Sequence, residues 1–167
     1  MAAFDALYER YEARLFAYLR AVTKDRRDAE EILHDAFLAT LKEGSAKFEE
    51  GGFRAWLYRV ARNQAFNKRR AKERHERAVA AVPDVDEGAE RTRADVALED
   101  REVEVALEHA VRRLPPMLGE VYHLRTSGLS YEQIASVVDV PLGTVKSRMH
   151  QMVHVLREEL KPWIAPE

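Results

Sequence analysis

Apolar side chains return every three or four positions along most of this chain, which is the period of an amphipathic helix, and no strand-like alternation interrupts it. Phe4, Leu7, Tyr8, Tyr11, Leu15, Tyr18, Leu19 and Val22 predict a first helix over Phe4–Val22. A second, opened by Asp25 or Asp28, buries Ala29, Ile32, Leu33, Ala36, Phe37 and Thr40 until Gly44 stops it. After the polar loop KEGSAKFEEGG, a third begins near Phe53, turns Trp56, Leu57, Val60 and Ala61 inward, and runs on through NQAFNKRRAKERHER with few apolar residues to pack. Near Val82 the pattern lapses into PDVDEGAERTRAD, an acidic stretch with Pro and Gly that reads as a linker. Beyond it, Val103, Ala106, Leu107, Ala110, Val111 and Leu114 share one side of a fourth helix that ends at Pro115-Pro116. MLGEVYHLRTSG makes a short helix closed by Gly128.

Residues 129–148, LSYEQIASVVDVPLGTVKSR, are the most distinctive stretch. Ser130 and Gln133 have the spacing of a capping box. Ile134, Ala135, Val137 and Val138 then form an apolar face, and Pro141 breaks the run at a place where a proline suits the first turn of a new helix. The second helix turns Val145, Met149, Met152, Val153 and Leu156 inward, and Pro162 ends it near Leu160. Such a pair fits a helix-turn-helix, whose second helix offers its first turns to base edges while hydroxyls and amides hold phosphates. A plain helical hairpin in a bundle fits the same pattern.

Composition suits a soluble, strongly helical protein, with 46% hydrophobic and 34% charged residues, and the 167 residues allow one ordinary domain or two small ones. Without cysteine there are neither disulfides nor thiolate metal sites, which is compatible with a reducing cytoplasm. No apolar run approaches the ~20 residues of a membrane span, so membrane insertion is not expected. The amphipathic, acid-bearing start is neither a signal nor a transit peptide.

The net charge of −2 hides a segregation along the chain. Arg54 to Arg77 holds nine Lys or Arg against two Glu, whereas Asp84 to Glu108 holds ten acids against three Arg. A basic block can bind phosphate while the acidic remainder limits stray contacts. Within that block Arg59, Arg62, Asn63, Phe66, Asn67 and Arg70 share a surface of charges, amides and a ring, suited to single-stranded nucleic acid. A solvated basic face would look the same. Asp28, Glu31 and Asp35, with Glu30 and His34 nearby, form an acidic strip. It is one helix's share of a metal cage with no Glu-x-x-His partner, and His150 with His154 lacks a third ligand, so neither metal nor other cofactor is expected. GxGxxG, GxxxxGK[ST] and GxSxG are absent, and no convergent catalytic set supports an enzyme.

Four stretches in order carry a resemblance across nearly the whole chain: Asp28-Ala29-Glu30-Glu31 through Phe37-Leu38, Phe53-Arg54-Ala55-Trp56-Leu57 through Ala61-Arg62-Asn63, Leu114-Pro115, and Gly128-Leu129-Ser130-Tyr131 through Gly143-Thr144-Val145-Lys146-Ser147-Arg148. They resemble the extracytoplasmic-function sigma factors of bacteria. The resemblance implies an all-α, two-domain initiation factor in the cytoplasm: region 2 over 1–78, a flexible acidic linker over 79–100, and a helix-turn-helix region 4 over 101–163. It further implies that Asp28, Glu31, His34, Asp35 and Phe37 dock on the beta-prime clamp helices of core RNA polymerase, with the beta flap a second contact. Trp56, Arg59, Arg62, Asn63, Asn67 and Arg70, with the loop from Lys42 to Gly52, would open and hold the −10 element of promoter DNA, duplex and locally single-stranded. Tyr131, Thr144, Lys146, Ser147, Arg148, His150 and Gln151 would read the −35 element, and an anti-sigma factor would be a further partner. There are two departures from the family's habit: Asn67 replaces a common Asp, and Gln151-Met152-Val153 replace a basic run. The thinned charge at Gln151 to Val153 keeps a sigma-like decoy that binds an anti-sigma factor in view, and a stand-alone helix-turn-helix regulator is a further alternative.

Overall fold

The computed structural model describes residues 2–43, 52–78 and 98–164, and every element among them is an α-helix. The loop expected to help open the −10 element and most of the acidic linker lie outside the described residues. In chain order the helices are α1 (Ala2–Thr23), α2 (Arg26–Glu43), α3 (Gly52–Ala78), α4 (Leu98–Arg113), α5 (Pro116–Thr126), α6 (Tyr131–Val138) and α7 (Leu142–Ile164).

Short-range chemistry sets the boundaries. Asp25 is the residue that opens α2, because its Oδ1 accepts the Asp28 backbone N–H at 3.1 Å. Pro115 and Pro116 open α5, where a missing N–H costs nothing. Pro162 does not end α7, which continues to Ile164. A proline there forfeits a single bond to the carbonyl four residues back, in a turn that is nearly finished.

Two units form around these helices. In the first, α1, α2 and α3 enclose Leu15, Leu19, Ala29, Ile32, Ala36, Phe37, Ala55, Leu57 and Ala61. In the second, α5, α6 and α7 with the end of α4 enclose Leu114, Val121, Leu124, Leu129, Ile134, Val137, Val145 and Met152. Val103 differs from its expected inward position: it is exposed, as is Val105, and burial along α4 begins only at Ala106. Periodicity aligned Val103 with the packed side, but the described residues leave it 37% exposed.

The units are closed against each other. The face of α3 packs on α6, α1 meets α5, and the buried residues of both halves form one continuous cluster. Tyr18 and Tyr58, with rings 5.5 Å apart and both essentially inaccessible, sit at that junction. From the second unit Glu120 faces Tyr18 and Ser127 faces Tyr58, and beside them the Gly128 carbonyl accepts from Arg54.

Candidate nucleic-acid interface

Leu129 to Arg148 fold as a helix-turn-helix, α6 to α7. The Ser130 hydroxyl accepts the Gln133 N–H at 3.1 Å and the Gln133 side chain accepts the Ser130 N–H at 3.0 Å, so two orphan donors are satisfied reciprocally. Asp139 ends α6 in the left-handed region at φ 54°, a conformation that Asp tolerates better than most residues. Val140 then donates to the Ala135 carbonyl, and Pro141 accepts from Thr144, which starts α7. Val145, Met149 and Met152 lock α7 inward. Lys146, Ser147, His150 and Gln151 are thereby left exposed, and Thr144 and Arg148 half-buried beside them. Tyr131 is half-buried under the Arg125 guanidinium, 5.4 Å from its ring centre, and Arg125 also donates to the Leu129 carbonyl at 2.8 Å. Six of the seven expected −35 residues therefore share the opening turns of α7, while Tyr131 shapes the entry to α6.

On α3, Asn63, Asn67 and Arg70 are exposed and Arg59 is half-buried. The Phe66 ring lies between the Arg62 and Arg69 guanidinium groups, at 4.5 and 4.8 Å, which fixes an aromatic surface inside a cationic one. Asn67, Arg70, Arg74 and Arg77 continue along an open groove with Glu73, on a stretch exposed on all sides from Arg69 to Ala78. Trp56 departs from the expected set. It is only 6% exposed, beside Phe53, because position 56 shares the inward face with the small residues Ala55 and Ala61 that let α1 and α2 approach. Its role is packing.

Arg62 is already engaged. Its Nε and Nη2 donate to the two Glu120 carboxylate oxygens at 2.5 and 3.2 Å, and the Tyr18 hydroxyl donates to the same carboxylate at 3.2 Å. Burial alone would lower the Arg62 pKa, but the bond and charge of Glu120 outweigh it and the net displacement is upward. Tyr18 is pushed well above the ordinary tyrosine range, first by burial and then by the Glu120 charge.

On α2, Glu31, His34 and Asp35 are exposed and Asp28 is half-buried. Lys68 of α3 reaches across to them, pairing with Asp28 at 3.0 Å and also with Glu31. Phe37 is a second correction. It is 2% exposed and clustered with Tyr8 and Phe4, at 4.7 and 6.2 Å between ring centres, so it supports the acidic strip from below rather than facing a partner. Leu38 and Leu41, 39% and 63% exposed, extend the strip instead. Sequence reasoning passed over Lys68, Glu120 and Arg54, whose Nη1 donates to the Gly128 carbonyl at 2.6 Å. A lysine seven residues beyond Ala61 offered a helical-spacing signal for the first, but the other two join halves that no local pattern relates.

Comparison with known proteins agrees with this arrangement. Residues 7–75 match the family Sigma-70 region 2, and residues 104–152 match Sigma-70, region 4. The chain is 30% identical to the RNA polymerase sigma-H factor of Pseudomonas aeruginosa, covering 96% of this chain and 87% of that one. It is likewise 30% identical to the ECF RNA polymerase sigma factor SigM of Mycobacterium tuberculosis, over 87% of this chain and 71% of that one. Among solved structures, the sigma factor RpoE of Bartonella quintana, in complex with the anti-sigma factor NepR, superposes with a TM-score of 0.74 at 21% identity, covering 96% and 98% of the two chains. With both sigma regions present in order and one relative matched along most of its length, the chain belongs to the extracytoplasmic-function group of RNA polymerase sigma factors, which direct that enzyme to promoters.

Proposed function

We propose that this sigma factor grips a promoter at two places while docked on core RNA polymerase. The observation that carries this reading is the exposed polar opening of α7 over a locked apolar back, in the same chain as the cationic, ring-bearing face of α3. Thr144, Lys146, Ser147, Arg148, His150 and Gln151 meet the −35 duplex, with Tyr131 at its edge. Arg59, Arg62, Asn63, Asn67 and Arg70 hold the −10 strand, on a surface built around the Phe66 ring. The strip of Asp28, Glu31, His34 and Asp35 docks on the beta-prime clamp helices, and the second unit, spanning 101–163 after the linker over 79–100, reaches the beta flap.

The protein works in the cytoplasm and carries no reaction of its own; the polymerase performs the chemistry. Unstacking each base costs a few kcal/mol, so the modest basic surface of α3 opens DNA only with the polymerase's help. An anti-sigma factor holds the chain in reserve, as NepR is bound to the sigma factor in the solved complex. The test is transcription in vitro with core polymerase and a promoter from the protein's own operon. Factor-dependent transcripts that vanish in Lys146→Glu/Arg148→Glu are expected. Failure to start transcripts despite demonstrated core binding would favour a decoy, and tight duplex binding without polymerase would favour a stand-alone regulator.

A further inference from the structure

The carboxylate of Glu120 belongs to the second unit, yet the Arg62 and Tyr18 groups that hydrogen-bond it belong to the first. The Arg62 and Glu120 side chains retain only 20% and 11% of their exposure, so the pair is shielded from salt far better than the ion pairs on the helix surfaces. The geometry is a two-point fork, guanidinium to carboxylate. An arginine presents the same fork to a phosphate. Arg62 also stands over the Phe66 ring, on the face assigned above to the promoter strand.

We propose that Glu120 is an internal surrogate for a nucleic-acid phosphate: in the unbound chain it occupies the Arg62 fork and holds the two units shut, and a single strand must displace it to gain α3. The inference rests on the assignment of α3 to the promoter strand. Arg54 on the Gly128 carbonyl supports the closure from one side, and the packing of α3 on α6 supplies its apolar part. The exposed residues of α7 stay outside the clasp, so closure withholds Arg62 and leaves the −35 face open.

The experiment uses the full chain without polymerase. Because the sequence has no cysteine, Ala13→Cys and His154→Cys, both at exposed positions, accept a fluorophore pair that reports the closure. Glu120→Gln keeps the shape and removes the charge. It should lower energy transfer, with the closed-to-open ratio falling about tenfold or more, as for other shielded charge pairs broken on one side. Glu120→Asp should recover part of the closure. In parallel, a single-stranded DNA oligonucleotide is titrated against each protein at several salt concentrations. Glu120→Gln should bind more tightly and steepen the salt dependence by about 0.7 in log–log slope, the signature of one added phosphate contact on a single strand. Adding Arg62→Gln should abolish that increment. Equal affinity and slope in the wild type and Glu120→Gln would overturn the latch while leaving the strand assignment intact. Opening by fluorescence with no strand binding by any variant would overturn the surrogate role together with the assignment of α3.

Discussion

His123 shows how a single side chain couples this fold to pH. It lies half-buried on α5, edge-on to Tyr122 at 5.3 Å, and burial lowers its pKa from the ordinary histidine value of about 6.5. A depressed histidine contributes stability that is present above the unfolded value and is lost as pH falls through the folded one. We therefore expect the midpoint of urea unfolding to fall as pH drops from about 6.5 toward 5, and to fall less in His123→Gln. Identical profiles for the two proteins would contradict the burial. Nothing in MLGEVYHLRTSG distinguishes this histidine from an exposed one, because burial is decided by the helices packed on α5 rather than by its neighbours in sequence. The Ser130 and Gln133 pair was legible in advance, since a capping box is set by spacing within four residues.

Between elements, the ties across helices matter as much as the helices themselves. Lys68 joins α3 to the acidic strip of α2 and meets Asp28 and Glu31 together. Its pKa is raised: partial burial opposes the charge, and the two carboxylates prevail. The Glu31 end is open to solvent, so the contribution is that of a surface network, up to about 1 kcal/mol. Lys68→Ala should lower the melting temperature by a few degrees at low salt and by less at high salt; a loss independent of salt would mean that the lysine acts through its aliphatic stem. Helix existence and most inward positions were readable from period and caps, though Val153, read as inward on α7, is exposed. What covers each face was not readable, which is why Val103 is exposed on α4; Trp56 and Phe37 lie in the core as their period predicts, and only the resemblance had placed them at contacts.

The whole molecule is where local reading had least to say. The residues that join the halves lie 58 to 102 positions apart and share no period or motif. The charge blocks along the chain do not mark the join, which uses Glu120, outside the acidic block, and an arginine also suited to nucleic acid. Since one continuous buried cluster spans both units, the described helices should melt in a single calorimetric transition, with calorimetric and van't Hoff enthalpies equal. Two resolved transitions would show that the junction is too weak to couple the halves.

Gly128 carries a consequence for the junction out of proportion to its size. It closes α5 at φ 89°, and a β-carbon there would stand 3.2 Å from an Arg14 nitrogen and 3.4 Å from one of Arg54. Both arginines belong to the opposite unit, so the missing side chain leaves room for their guanidinium ends beside the turn. A larger residue at this position strains the turn and makes the ends of the two arginine side chains shift by a few tenths of an ångström. Replacing this glycine therefore disturbs the turn after α5 first, and with it the carbonyl that accepts the Arg54 hydrogen bond across the junction.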